Sequence, residues 1–269
     1  MALTSFQRDI CRLIAKNRIQ HGESYVAGGV ALNEYTRSTR ISDDIDLFHD
    51  TAEAVSESFA SDSGLLAMHD YVVDVRRQQA GYIEAVISKG TDTTAIQWTA
   101  DSAYRYFPLV QHDEFGLTMH PVDLASNKVL ALVGRLAARD WIDVIDAHKT
   151  IQRLGYLAWA ASGKDPSFSP GMILTEAKRS ARYTSLELAN LQFEGNPPDA
   201  AELGRQWHNM VADAEQIVSI LPEQEAGKCV LTKDGGIFSG AVVLLQEELD
   251  AGEIYFHEGR IRGAFPKFK

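Results

Sequence analysis

Hydrophobic positions change their period several times along the chain. Residues 4–20 place Phe6, Ile10, Leu13 and Ile14 three or four apart with charges between them, which predicts an amphipathic helix. SYVAGG at 24–29 is a short apolar strand that closes on a glycine pair, and VALNEYT at 30–36 is helical in pattern. DIDLFHD at 44–50 alternates acid with apolar side chains, predicting a strand whose two faces differ. TAEAVSESFASDSG predicts a helix ending near Gly64, followed by three strand-like runs at 71–77, 82–88 and 94–101. Strands and helices mixed in this way predict an α+β core over residues 1–120.

After Pro121 the pattern is helical through residues 122–160. A loop at 163–171 follows, then two more helical stretches separated by GNPPD at 195–199. From residue 226, KCVLTKDGGIFSG predicts a hairpin on a DGG turn, AVVLLQEELDAG a short helix and EIYFHEGRIRGAFP a closing strand. The expected organisation is therefore a mixed core over 1–120, a helical domain over 121–225 and a small β/α appendix over 226–269.

Composition narrows the class. Apolar residues make up 45% and charged residues 23% of the 269, which excludes a disordered chain, a collagen-like fibre and a disulfide scaffold. Two cysteines, Cys11 and Cys229, are too few for a staple framework, so a reduced cytoplasmic setting is the expectation. The first twenty residues carry no apolar core of a signal peptide. No run approaches the ~18 apolar residues that span a bilayer. With 26 basic against 37 acidic residues the net charge is −11. Such a chain is not a generic nucleic-acid binder, because nonspecific binding rests on phosphate neutralisation by basic side chains. A local basic patch, or phosphate binding through metal ions, stays open.

Chemistry concentrates in VAGGVALNEYTRSTRISDDIDLF, residues 26–48. Asp44 and Asp46 are two apart on a predicted strand, so both carboxylates point to one face. Two carboxylates side by side repel, and a divalent cation such as Mg²⁺ removes that penalty. Gly28-Gly29 closes a strand and opens a helix, where backbone N–H groups can approach a phosphate. A phosphate cradle facing a metal site suits phosphoryl or nucleotidyl transfer. The alternatives are a plain turn at the glycines and a solvated acidic face, since Asp43, Asp50, Glu53, Glu57 and Asp62 lie close in sequence. The combination of GG-x-A-L with R-x-S-x-D-x-D-L-F is more specific than either half.

GGVAL followed by RISDDIDLF resembles the AbiEii/MenT-type nucleotidyltransferases, a branch of the DNA polymerase β-like superfamily. DLASNKVLALVGRLAARDWIDVIDAHK at 123–149 is similar to that family's second block, so the resemblance spans roughly residues 24–150. It implies a polymerase β-like core, an NTP substrate, Mg²⁺ or Mn²⁺ and, in the MenT branch, nucleotide addition to tRNA 3′ ends by toxins that pair with antitoxins. Position by position, it makes Asp44 and Asp46 the metal pair and Ser42 the hydroxyl residue before it. Gly28 and Gly29 then hold phosphates, Lys128 is the phosphate-contacting lysine, and Asp143 is the second-block acid.

The superfamily's third metal carboxylate falls on Asp101 in this reading, with Asp74 and Glu84 as rivals; each is otherwise a solvent-facing strand acid. Lys128 is otherwise a surface lysine. Fifteen residues of unbroken helix between Lys128 and Asp143 would span ~22 Å. A shared site therefore requires a turn, expected at Arg139-Asp140 with Asp140 as N-cap. Arg105 is a candidate triphosphate contact or an ordinary ion-pair partner. His112, His120 and His148 form no metal spacing. The tail carries Arg260, Arg262, Lys267 and Lys269 with Phe265 and Phe268, a grip for RNA or a simple packing segment. The leading expectation is a tRNA-modifying toxin of a toxin–antitoxin or phage-defence system. A nucleotidyltransferase with an antibiotic or protein acceptor, and a non-catalytic nucleotide-sensing module, remain as alternatives.

Overall fold

Thr4 opens the first helix through a capping box, accepting from the Gln7 N–H while the Gln7 side chain accepts from Thr4 N–H. The computed structural model describes residues 3–180 and 183–267. In chain order the elements are α1 (Ser5–His21), β1 (Ser24–Val26), α2 (Gly28–Thr36), β2 (Asp44–His49), α3 (Ala52–Met68), β3 (Val72–Gln79), β4 (Tyr82–Lys89), β5 (Asp92–Ala100), β6 (Tyr104–Arg105), β7 (Val110–His112) and β8 (Gly116–Thr118). There follow α4 (Pro121–Arg135), α5 (Ala138–Thr150), α6 (Leu154–Ala161), α7 (Pro170–Ala177), α8 (Ser185–Ala189), α9 (Ala200–Ile220), β9 (Cys229–Thr232), α10 (Val242–Asp250), β10 (Ile254–His257) and β11 (Arg260–Ile261). They divide into two units. The first is the chain to Ala103 with Pro108–His120 and Gln192–Glu194; the second is Tyr104–Phe107, Pro121–Leu191 and the chain from Gly195.

The first unit is built on a seven-stranded sheet in the order β3-β4-β5-β2-β1-β8-β7. β2 runs parallel to β5 and β1 parallel to β8; the other pairs are antiparallel. Ile45 and Leu47 of β2, Ile83, Ala85 and Ile87 of β4, and Ile96 and Trp98 of β5 are buried. α1 and α3 pack on this sheet. Between them lies a buried ion pair, Arg18 Nη2 to Asp62 Oδ2 at 2.5 Å. The same carboxylate accepts from Trp98 Nε1 at 3.0 Å and from Asn17 Nδ2 at 2.8 Å, so a charge that would be expensive alone is fully held. α3 does not stop at Gly64 as the sequence predicts. An exposed glycine costs a helix only ~1 kcal/mol, and burial of Leu66 carries the helix past it to Met68.

In the second unit the helical stretch is cut into α4, α5 and α6. Tyr156 and Trp159 of α6, Ile217 of α9, Leu221, Val230 of β9, Phe238 and Leu245 of α10 form one buried cluster. The residues after 226 therefore share a core with the helices before them. The DGG turn closes with Thr232 N–H to Gly236 O at 2.9 Å. Its returning arm contributes a single bridge, Leu231 to Ile237, rather than the predicted hairpin strand. β9 pairs antiparallel with β10, in register from Cys229–His257 to Thr232–Ile254. The closing strand is interrupted after His257, and β11 pairs instead with β6. A Cβ at Gly259 would lie 2.5 Å from the Tyr104 ring, so only glycine fits the crossing. Both cysteines are free and buried. Among the described residues no helix is long and apolar enough to cross a membrane.

His49, at the end of β2, is fully buried. Its Nδ1 lies 3.3 Å from Thr99 O and its Nε2 has no partner. Burial holds its pKa down at about 4, with Arg18 adding to the effect and Thr99 and Asp62 opposing it. The folded value lies below the unfolded ~6.5, so the unfolded chain takes up a proton that the folded chain refuses. This contribution to stability is full above pH ~6.5 and is lost as pH falls toward 4, by about 3 kcal/mol. His49→Asn keeps a donor toward Thr99 but cannot ionise. Urea unfolding at pH 7, 5.5 and 4.5 should show a shallower loss of stability in the variant; an unchanged slope would show that His49 is not the sensor.

Candidate active site

β2 lies inside the sheet, with both of its edges paired, to β1 and to β5. Ile45, Leu47 and His49 are buried on one face, while Asp44, Asp46 and Phe48 are only partly buried on the other. The two carboxylates thus share a face, as the alternation predicts. Ser42 is 4% exposed, and its Oγ donates to Asp44 Oδ1 at 3.5 Å. Gln97 Nε2 donates to Asp44 Oδ2 at 3.2 Å. Asp44 is therefore held from both sides by neutral donors.

The glycine pair is brought to the same place. Gly28 has φ +63° and begins α2, and the N-cap residue, Ala27, supplies no side-chain cap. A Cβ at Gly28 would lie 1.8 Å from Asp46 Oδ2, and one at Gly29 would lie 2.8 Å from Arg40 Nη2 and 2.9 Å from Ser42 Oγ. The helix start is thus pressed against both the second acid and the serine. Helix N-terminal N–H groups and the macrodipole favour an anion here. Arg40, 3% exposed, is the member that sequence reasoning assigned no role. Its signal was present as the first residue of RISDDIDLF, but nothing in spacing places a guanidinium against Gly29.

Asp101 is not brought to the acid pair. In the parallel ladder Asp44 is opposite Ala95, Asp46 opposite Gln97 and His49 opposite Ala100. The sheet position beside Asp46 is therefore Gln97, and Asp101 lies four residues further on, beyond the strand end, roughly 13 Å along the chain. It is exposed, and its N–H bonds His49 O. Of its rivals, Glu84 stands opposite Gln97 on β4, completing a row Asp46–Gln97–Glu84, whereas Asp74 pairs with Val86. Tyr82 OH donates to Glu84 Oε2 at 3.3 Å, and Arg77 lies 5.3 Å from the Tyr82 ring centre. Burial first, then the Glu84 charge, raises the Tyr82 phenol pKa, with a smaller contribution from Asp46. Among the described residues no group of three or more His, Cys, Asp or Glu side chains is placed to hold a metal ion.

The second block forms its own buried network in the second unit. The helix breaks at Leu136, φ +49°, with Ala137 as N-cap of α5, and not at Arg139-Asp140. Asp140 is inside the first turn rather than capping it. With the chain turned, Lys128 Nζ lies 3.1 Å from both Asp140 Oδ1 and Asp143 Oδ2. Arg135 Nε adds 2.5 Å to Asp140 Oδ2. Burial alone would raise the Asp140 pKa, but bonds from Arg135 and the Lys128 and Arg135 charges outweigh it and hold it low. Lys128 is 7% exposed, so it is not a surface lysine. Arg105 is buried at 3% exposure on β6. Phe265 in the tail is 75% exposed, while Phe268 and Lys269 lie outside the described residues.

No protein-family profile and no curated protein matches the chain. Solved structures do. JHP933 from Helicobacter pylori aligns with TM-score 0.51 at 14% identity, over 81% of this chain and 95% of its own. MenT4, a nucleotidyltransferase toxin from Mycobacterium tuberculosis H37Rv, aligns with TM-score 0.49 at 13% identity, over 81% of this chain and 84% of its own. The likeness to JHP933 is one of fold: a mixed α/β protein with a central sheet.

Two substitutions separate close packing from flexible contact. Gly28→Ala meets both a left-handed φ and a carboxylate, and should cost about 1–3 kcal/mol or more; Gly29→Ala meets only side-chain ends and should cost less. Thermal unfolding of the pair checks the order. Lys128→Met strips a buried cation from two buried acids and should cost about 3 kcal/mol in urea unfolding.

Proposed function

We propose that the chain is a nucleotidyltransferase, moving a nucleoside monophosphate from an NTP to an acceptor hydroxyl and releasing pyrophosphate. The observation that carries this reading is the packing of an N-terminal glycine helix start directly against an Asp-x-Asp strand, Gly28 on Asp46 and Gly29 on Ser42. An anion site touching paired carboxylates has little use without a cation between them. The donor set fits Mg²⁺ or Mn²⁺ arriving with the nucleotide. Mg²⁺ is commonly bound by one or two carboxylates plus substrate phosphates, and Asp44 and Asp46 supply those two. When bound, the ion would neutralise triphosphate charge and polarise the acceptor oxygen.

The chain's own groups position the reactants. The N–H groups at Gly28 and Gly29 hold phosphate oxygens, the Ser42 hydroxyl turns its proton from Asp44 to a phosphate oxygen when the nucleotide arrives, and Gln97 fixes the rotamer of Asp44. Lys128, steadied by Asp140 and Asp143, is the proposed phosphate lysine. In the reaction the acceptor oxygen bonds to the α-phosphorus as the bond to pyrophosphate breaks, and the hydroxyl proton passes to solvent. The motif resemblance supports tRNA as acceptor, a toxin role with a cognate antitoxin, and a cytoplasmic setting where NTPs and tRNA are available. The net charge of −11 favours instead a cationic small-molecule acceptor such as an aminoglycoside.

The test supplies each of four α-³²P-labelled NTPs with Mg²⁺ or Mn²⁺ to total RNA, to protein extract and to aminoglycosides. Label should enter tRNA-sized RNA, and Asp44→Ala should reduce it at least about 100-fold. Label in antibiotic or protein moves the acceptor and keeps the chemistry. Bound NTP with no transfer to any acceptor overturns the transferase and leaves a sensing module.

A further inference from the structure

The acid pair has two sides. β2 is paired with β1 along one edge and with β5 along the other. Gly28 follows β1, so the helix start suited to phosphate lies on the β1 side of Asp46. In phosphoryl transfer the attacking and leaving oxygens stand roughly in line through the reacting phosphorus. With the triphosphate tail held at the glycines, pyrophosphate leaves toward β1. The acceptor hydroxyl then comes in over β5 and the strands beyond it.

The register shows what is placed there. Cross-strand partners share a face, so the row from Asp46 continues through Gln97 of β5 and Glu84 of β4 to Arg77 of β3. β3 bulges between Val75 and Arg77, and the extra residue sets Arg77 opposite Glu84. Bulges beside active sites commonly re-aim a side chain in this way. Tyr82 stands in the next row; its hydroxyl donates to Glu84 Oε2 at 3.3 Å, and the Arg77 guanidinium lies 5.3 Å from its ring centre. Gln97, Glu84 and Tyr82 are only partly buried, and Arg77 is exposed. α1 and α3 cover the opposite face, where Gln7 donates to Thr94 and Asp62 accepts from Trp98.

Three strand spacings of ~4.8 Å put Arg77 roughly 14 Å from Asp46. A group held there belongs to the body of a polymeric acceptor and not to its reacting end. Tyr82 and Arg77 together offer a stacking surface that carries positive charge, the combination that grips single-stranded nucleic acid. A carboxylate between them and the acid pair suits a ribose hydroxyl, which distinguishes RNA from DNA. We infer that this face of β4 and β3 binds the single-stranded 3′ end of an RNA acceptor, with a base on Tyr82, a backbone phosphate on Arg77 and a 2′ hydroxyl on Glu84. The direction of approach rests on the nucleotidyltransferase reading of the acid pair; the grip itself does not.

The experiment titrates the full chain, without nucleotide, into a fluorescein-labelled single-stranded RNA with a free 3′ hydroxyl and follows anisotropy over a range of salt. Wild type should bind this RNA more tightly than DNA of the same sequence. Tyr82→Ala should weaken binding at least about fivefold, while Tyr82→Phe, which keeps the ring, should retain it. Arg77→Met should weaken binding and lower the slope of log K against log salt by about 0.7, the share of one phosphate contact on a single strand. Lys16→Met, exposed on α1 over the opposite face, should change neither. In the transfer assay Arg77→Met should raise KM for RNA and leave KM for NTP unchanged. Wild type that binds no RNA overturns the proposal, as does equal affinity for DNA. So does RNA binding that survives both Arg77→Met and Tyr82→Ala. RNA binding that depends on these residues in a chain with no transfer activity overturns the transferase alone and supports the grip.

Discussion

Ile45 and Leu47 are fully buried on one face of a strand that is hydrogen-bonded along both edges, to β1 and to β5. A one-residue slip would carry both aliphatic side chains out of the core and both aspartates into it, at the cost of two unpaired buried charges. The register of β2 is therefore fixed from within the core, and the acid face is its consequence. Everything proposed for the site depends on this: Asp44 meets Ser42 and Gln97, and Asp46 meets Gly28, only in this register.

The glycine pair adds a second requirement, one of space. Gly28 adopts a left-handed φ and leaves no room for a Cβ against Asp46. The helix start has no side-chain cap at Ala27 and is set against the Asp46 carboxylate, an anion that the helix dipole favours at that end. The charges elsewhere are handled differently. Arg18–Asp62 in the first unit and Lys128 with Asp140 and Asp143 in the second are buried but paired, Asp62 and Asp140 each with more than one donor or cation. Such groups hold geometry and are costly to break singly.

Much of the fold follows from local pattern. The period-2 alternation of DIDLFH and the helical period of residues 5–21 each depend on near neighbours, so both elements could be placed directly. The motif pairing of GG with D-x-D could be read for the same reason, since three short elements in sequence, β1, α2 and β2, bring those residues to one helix start and the strand beside it. What failed was non-local. Asp101 had the right residue type at the right strand face, but its distance from Asp46 depends on the β2–β5 register, which no alternation specifies. Gln97 occupies that position instead, and a glutamine gives no signal of metal chemistry. The DGG segment had hairpin chemistry, yet its partner strand came from residues 254–257 because α10 returns the chain there.

The sequence by itself determined which residues alternate, where helices start and break within a few positions, and that acids and glycines cluster between residues 26 and 48. The helix break was legible as a distance requirement between Lys128 and Asp143, because rise per residue is a local constant. Its place, at Leu136 and Ala137, was decided by tertiary structure, through the burial of Lys128 between two aspartates. Likewise only the folded chain set Ser24 opposite His49 across β1 and β2. Pairing across strands joins residues with no sequence relation, and burial turns a neutral hydroxyl or imidazole into a group that needs a partner.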